Sequence, residues 1–217
     1  SMVACGDADG AVTGNTRRFG ASLEKIKQVV DVRDGEIMFG LNMVVHKGKT
    51  IFVGDTSVHE YPTSEQMAEI AISTARVVRL FGFEPKVAFV SHSTFGQPLT
   101  SRTKHIRKAV DILKEQKVDF EFDGDMQPDV ALNSEYKELY PFSNIVGKAN
   151  ILIMPGQHSA AISYKMMKTL GDTKVIGPLL IGLGLPIEIA PLRSSTSELI
   201  NLASVAAYSA DIIDYKK

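Results

Sequence analysis

Apolar positions along the chain fall into short runs separated by segments of helical spacing. Ile151-Leu-Ile-Met154 is one such run, stopped at Pro155, and the small and polar residues from Gly156 to Met167 follow at helical intervals. This reads as a buried strand handing over to a helix N-terminus, where free backbone N–H groups favour anions. Val87-Ala-Phe-Val90 repeats the arrangement, with the polar loop Ser91-His-Ser93-Thr94-Phe-Gly96 and then a helix over about 101–117. Strand, loop and helix in repeated order predict βαβ units, and so an α/β fold with a mostly parallel sheet and flanking helices in three layers.

The same patterning places the other elements. Ala11 to Gly14 is a short strand, and Ser22 is placed to cap a helix with Leu23, Ile26, Val29 and Val30 on one face. Residues 37–45 and 50–53 are β-rich and joined by His46-Lys-Gly-Lys49, a hairpin. Thr63 with Gln66 forms a capping box before a helix whose apolar face is Met67, Ile70, Ala71, Ala75, Val78 and Phe81. Residues 118–122 read as a strand, followed by an acidic loop, Asp123-Gly-Asp125, and a helix from near Pro128. The run 174–183 is broken at Gly177-Pro178, where the backbone is expected to approach a ligand. After a last strand over 186–189, Ser195 or Thr196 caps a final helix burying Leu199, Leu202, Ala203, Ala206 and Ala207.

Composition alters this picture little. Hydrophobic residues are 44% and charged residues 23% of 217, ordinary for a globular domain. A formal net charge of -1 gives no electrostatic reason to expect nucleic acid or an anionic membrane. The lone Cys5 excludes an internal disulfide and fits a cytoplasmic setting. No apolar run reaches the roughly 20 residues that span a bilayer. Ser1-Met2 reads as a cloning remnant, and the chain as a piece of a longer protein.

Ligands of parallel α/β sheets bind beyond the carboxyl ends of the strands. The loops at 13–17, 91–96 and 155–159 are therefore expected to converge. They offer hydroxyls (Thr16, Ser93, Thr94), a cation (Arg17) and backbone N–H groups, a set suited to phosphate or an acyl oxygen. Asp55, His59 and Glu60 lack a further ligand to complete a metal site, and Asp123-Gly-Asp125 does not have EF-hand spacing. Neither nucleotide-binding glycine motif and no G-x-S-x-G elbow is present. Residue patterns alone stop at an α/β protein with an anion or acyl-ligand cleft.

Longer motifs go further. Asp7-Ala-Asp-Gly10 with Gly14, Pro85-Lys-Val-Ala88 with Ser91, Ser93, Thr94 and Gly96, Asp123-Gly124, Ala149-Asn150, Gly177-Pro178 with Gly182-Leu183, and Glu198-Leu-Ile-Asn201 run through nearly the whole chain. Together they resemble the later part of a phosphate acetyl/butyryltransferase (phosphotransacetylase) domain. Gly14-Asn-Thr-Arg17, Val58-His-Glu60, His158-Ser-Ala-Ala-Ile-Ser163 and the run 175–183 are similar to the version fused C-terminally to bacterial NADP-dependent malic enzymes. The resemblance implies an isocitrate/isopropylmalate dehydrogenase-like fold. Residues 1–190 would be its second α/β domain, and 191–217 a loop and helix packing on a first domain outside this chain. It also implies acetyl-CoA or phosphate as ligand, the protein's own further domains and a homo-oligomer as partners, and NADP with a divalent metal only in the malic-enzyme half.

One departure bears on the chemistry. Active members of that family carry a Ser-Arg pair in the final loop and an Asp seven residues after the Ser; counted back from Asn201, these positions hold Pro191, Leu192 and Glu198. A second phosphate-binding arginine of the family appears here as Glu24. Glu198 is thus the one catalytic candidate. Thr16, Arg17, Ser93, Thr94, Gly177, Pro178 and Arg193 are the candidate ligand-binding residues, with no metal ligand. Three readings follow: an acetyl-CoA-binding regulatory and oligomerising domain, an active acyltransferase, or a purely structural dimerisation module.

Overall fold

Parallel pairing, expected from the repeated strand–loop–helix order, dominates the computed structural model, which describes residues 2–212. The elements are α1 (Met2–Cys5), β1 (Ala11–Gly14), α2 (Phe19–Ile26), β2 (Phe39–His46), β3 (Lys49–Gly54), α3 (Ser64–Leu80), β4 (Lys86–Val90) and α4 (Ser101–Gln116). There follow β5 (Glu121–Met126), α5 (Pro128–Leu132), a 3-10 turn (Ser134–Glu138), β6 (Ile151–Ile153), α6 (Gln157–Leu170), β7 (Thr173–Ile181), β8 (Ile187–Ala190) and α7 (Thr196–Ile212). They form a two-stranded sheet, β1-β8, and a six-stranded sheet in the order β5-β4-β6-β3-β2-β7. The chain divides into two compact units, one running up to Leu41 and resuming at Ile176, the other covering Asn42–Val175.

In the second unit, α3 and α4 are the crossovers between parallel strands, and β6 lies between β3 and β4. Ile151 is level with Phe52 on one side and Val87 on the other. Flanked by strands on both sides and covered on both faces, Ile151, Leu152 and Ile153 are all buried, which is why the sequence there is an unbroken apolar run. The expected Thr63–Gln66 capping box is present in full, and Thr100 with Thr103 forms a second at the start of α4. Lys47 (φ 48°) and Gly48 (φ 74°) make the two-residue turn between β2 and β3, the left-handed pair that a tight hairpin demands.

In the first unit, β1 and β8 run parallel with Val12 level with Glu188 and Gly14 level with Ala190, and α7 packs on both strands.

Several expectations are corrected. Ser22 does not cap α2: the helix begins at Phe19 after an extended Arg18, and Ser22 is buried inside it. Phe19, Leu23 and Ile26 supply the stripe that starts the helix early, and Val29 and Val30 lie beyond its end. The fifth strand is Glu121–Met126 rather than 118–122, so Asp123 and Asp125 are strand residues. Gly177-Pro178 is no loop but part of β7, an end strand of its sheet, where a proline can sit without removing a ladder bond. The helix from Pro128 is only five residues long. On α7, Leu202 and Ala206 are buried, whereas Ala203 and Ala207 are exposed.

Candidate active site

Two groups of loop residues lie at carboxyl ends of parallel strands, one in each unit. In the first unit, β1 and β8 end side by side and their following loops are tied together. Asn15 N–H donates to the Ala190 carbonyl at 3.0 Å, and Arg193 N–H donates to the Asn15 carbonyl at 3.0 Å. Gly14 has φ +102°, and a methyl group there would come within 2.4 Å of the Ala190 carbonyl oxygen, so only glycine permits this approach. Asn15 (φ 62°) and Arg193 (φ 60°) both adopt left-handed backbone. The effect is to present Thr16, Arg17 and Arg193 on neighbouring loops, all three exposed. The side-chain oxygen of Asn15 is buried with no hydrogen-bond partner among the described residues.

Glu198 stands one turn into α7, and its carboxylate is occupied. It accepts from Ser195 N–H at 2.7 Å and from Ser195 Oγ at 2.9 Å, while Glu198 N–H donates to Ser195 Oγ at 3.3 Å. Of the two caps left open by the sequence, Ser195 is therefore the one used. The Pro191 carbonyl accepts from Ser194 N–H at 3.2 Å and Ser194 Oγ at 2.8 Å, closing the turn. Leu192 projects outward, 55% exposed.

Glu188 is the feature of this unit that sequence reasoning passed over. It is 4% exposed, and one oxygen accepts Leu180 N–H at 2.9 Å. Burial pushes its carboxyl up to about 8, against the pull of the Leu180 N–H, so it is predominantly protonated at neutral pH. Its alternation with Ile187 and Ile189 was the only sequence signal for it.

In the second unit, the 91–96 loop is closed against the end of β5. Ser91 N–H donates to the Met126 carbonyl at 2.9 Å and Phe95 N–H to the Asp125 carbonyl at 2.6 Å. Ser93 Oγ donates to Asp125, and Thr94 Oγ1 accepts Gln127 N–H at 3.3 Å. Both hydroxyls thus point inward and are buried, and Asp125 is fully buried with its other oxygen unpartnered among the described residues.

The 155–159 loop has different neighbours. Gln157 N–H reaches the His59 and Glu60 carbonyls at 3.3 Å, and His158 Nε2 lies 3.2 Å from Glu60 Oε1. Asp55 organises that neighbour by accepting the N–H groups of Ser57, Val58 and His59 at 2.8 to 3.2 Å and meeting His59 Nδ1 at 2.8 Å. The 91–96 and 155–159 loops follow the neighbouring parallel strands β4 and β6, so they leave the sheet at the same edge. Gly177 is half-buried and Pro178 buried within β7. No group of three or more His, Cys, Asp or Glu among the described residues is placed to hold a metal ion.

Comparison with known proteins decides what these loops belong to. The sequence profile of the phosphate acetyl/butaryl transferase family matches residues 1–207. The chain belongs to that family. It is 47% identical over 210 residues to the NADP-dependent malic enzyme of Rhizobium meliloti, covering 97% of this chain and 28% of the relative. It is 32% identical over 215 residues to the phosphate acetyltransferase of Clostridium acetobutylicum, covering 94% of this chain and 64% of that one. The crystal structure of a phosphotransacetylase from Streptococcus pyogenes superposes with a TM-score of 0.90 at 29% identity, over 97% of this chain and 65% of that one. This phosphotransacetylase-like chain therefore spans under a third of its malic-enzyme relative and just under two thirds of the transferases. Among its described residues no helix is long and apolar enough to cross a membrane.

Proposed function

We propose that the chain is the phosphotransacetylase-like domain of an NADP-dependent malic enzyme, binding acetyl-CoA as a regulatory and oligomerising domain without transacetylase turnover. The turn at 191–198 carries the reading. Pro191 and Leu192 occupy the positions where the resemblance places a reactive Ser-Arg pair, and neither side chain can donate a hydrogen bond. Losing donors aimed at developing charge commonly costs orders of magnitude in rate. Glu198 keeps a carboxylate but holds it in a cap with Ser195.

Binding capacity is supported where turnover is not. Arg17 and Arg193, exposed on loops tied through Asn15, suit the phosphates of acyl-CoA. Thr16 stands beside Arg17 on the same loop, and Gly177 and Pro178 belong to the same unit; Ser93 and Thr94, with hydroxyls turned inward, would shape the 91–96 loop of the other unit. NADP and a divalent metal fall to the malic-enzyme part beyond this chain, and a cytoplasmic setting fits the single Cys5. The exposed face of α7 would pack on the remaining part of the transferase fold. Acetyl-CoA would then report carbon status to a distant malate-oxidising site, with a coupling of roughly 1–3 kcal/mol.

Titration calorimetry of the full-length protein with acetyl-CoA tests this reading. Saturable binding is expected, and no binding at millimolar ligand would sink it. A CoA-release assay addresses turnover: release that disappears in Glu198→Gln would instead establish an active acyltransferase, with the carboxylate freed from its cap.

A further inference from the structure

Asp55 and His59 form an acid–imidazole pair at the carboxyl end of β3. Asp55 is 3% exposed and accepts the N–H groups of Ser57, Val58 and His59 at 2.8 to 3.2 Å. Its Oδ2 also meets His59 Nδ1 at 2.8 Å. A carboxylate that accepts here fixes the ring proton on Nδ1, so in the neutral imidazole the lone pair lies on Nε2. Nε2 has no hydrogen-bond partner among the described residues, and the His59 side chain keeps 18% of its surface open. The three backbone bonds already close the loop, so the ring is not needed for that. A buried acid that orients an imidazole and leaves its far nitrogen bare is the arrangement of reactive histidines.

The surroundings suit a small anion. β3 and β6 run parallel with Gly54 level with Ile153, so the loops that follow them leave the sheet together. α6 packs on the face carrying Val53 and Leu152, to which the buried residues of α3 contribute nothing, so the chain departs from these two strands toward opposite faces. Such a fork is where parallel sheets take ligands. Gln157 N–H reaches the His59 and Glu60 carbonyls at 3.3 Å, and Gly156 permits it, since a methyl there would come within 2.5 Å of the Glu60 carbonyl oxygen. α6 therefore begins beside His59 with no side-chain cap, and its positive end favours negative charge. Arg102, at the start of α4, lies 5.2 Å over the Tyr61 ring and forms no ion pair among the described residues. Glu60, the acid of this rim, is engaged by His158 Nε2 at 3.2 Å.

We propose that His59 is a phosphorylation site, modified on Nε2 by small acyl phosphates. The Nε2 lone pair attacks phosphorus, and an N–P bond forms as the P–O bond to the acyl oxygen breaks. The acyl group leaves as a carboxylate with that electron pair. Nδ1 keeps its proton, and Asp55, a positioning residue, faces the positive charge that the ring acquires. No further reactant is needed. The donor class follows from the leaving group, a stable carboxylate, and from the absence of either nucleotide-binding glycine motif in the sequence. This inference goes beyond the acetyl-CoA reading, which centres on Arg17 and Arg193 in the other unit, and does not depend on it.

Incubation of the full-length protein with acetyl phosphate labelled in its phosphate tests the site. The protein should take up label that is stable to alkali and lost in acid, as a phosphoramidate is, and mass spectrometry of the wild type should place it on His59. Acetyl phosphate labelled in its acetyl group should leave no label. His59→Gln should lower phosphate uptake by about 10-fold or more. Arg102→Gln removes an exposed side chain, so it should slow uptake and flatten its salt dependence without moving the thermal melt. Localisation in the wild type decides the matter even where His59→Gln fails to fold. No phosphate label, label on a different residue, or acetyl label on His59 overturns the proposal.

Discussion

Glu188 sits between Ile187 and Ile189 on a strand whose four residues are all buried, and its carboxyl is pushed by that burial from an ordinary 4.5 up to about 8. Below about pH 4.5 both folded and unfolded chains hold the proton, and the group contributes nothing to pH dependence. Between there and about pH 8 the unfolded chain has released a proton that the folded chain still holds, so stability falls as pH rises. Above that window the penalty levels off. Its size at pH 7 is about 3 kcal/mol. Glu188→Gln keeps the volume and an oxygen for Leu180 N–H while removing the titration. Urea unfolding at a series of pH values should show the variant matching the wild type near pH 4 and exceeding it by about 3 kcal/mol at pH 7. A difference that stays constant from about pH 5 to about pH 8 would show that Glu188 ionises normally. The sequence could display a glutamate among isoleucines. It could not display that β1 would lie alongside with Val12 level with Glu188, and so could not identify the group as buried.

Capping residues are the part of the elements most legible in advance, because a cap is a contact between residues three apart. The Thr63–Gln66 box is read directly from the sequence, and the Ser195–Glu198 box was half-read, as one of two candidate caps. The fifth and seventh strands were not legible, for opposite reasons. β5 contains Asp123, Gly124 and Asp125, which local propensity assigns to a loop. Partners distant in sequence pair with the acids, Asn144 N–H with Asp123 and Ser93 with one oxygen of Asp125. β7 runs through Gly177-Pro178, which propensity treats as a break, and its place at the end of the sheet is what makes the proline harmless. The site was legible in the same proportion. Arg17 and Arg193 were named from the sequence, but the link through Asn15 that brings their loops together depends on β1 and β8 ending level. At α7 the box makes a non-additive prediction. Ser195→Ala should cost about 1 kcal/mol in chemical denaturation. Adding Glu198→Ala should cost less than its own single loss, since the Ser195 Oγ contacts are shared, while the bond from Ser195 N–H to Glu198 survives the first change. Additive losses would mean that the shared Ser195 Oγ contacts stabilise neither residue.

At the scale of the whole molecule, exposed apolar residues line α7 and α6 among the described residues, and the two helices call for different partners. On α7, Ile200 (59% exposed) and Tyr208 (42%) flank the exposed small residues Ala203, Ser204 and Ala207. A stripe of small residues between large ones fits an intimate intramolecular contact, and the chain covers only 65% of the Streptococcus phosphotransacetylase. Ile200→Glu in the full-length protein should therefore lower its melting temperature by several degrees, as expected for burying an unpaired charge. On α6, Ile162 (57%), Met166 (54%) and Leu170 (81%) recur every fourth residue, and His158, stacked on Tyr61 at 6.1 Å, continues the line at the helix start. Glu60 lies at that end and Lys165 and Lys168 toward the other, so an antiparallel second copy would bury apolar surface on apolar surface and set opposite charges together. Such a self-complementary patch is what a two-fold dimer requires. Met166→Glu would then place two carboxylates in one dry contact. Sedimentation of the full-length protein should shift to a smaller species, while protomer stability, read by denaturation of the dissociated form, changes by less than about 0.5 kcal/mol. An unchanged sedimentation coefficient would remove α6 from the assembly and leave its stripe to a different partner.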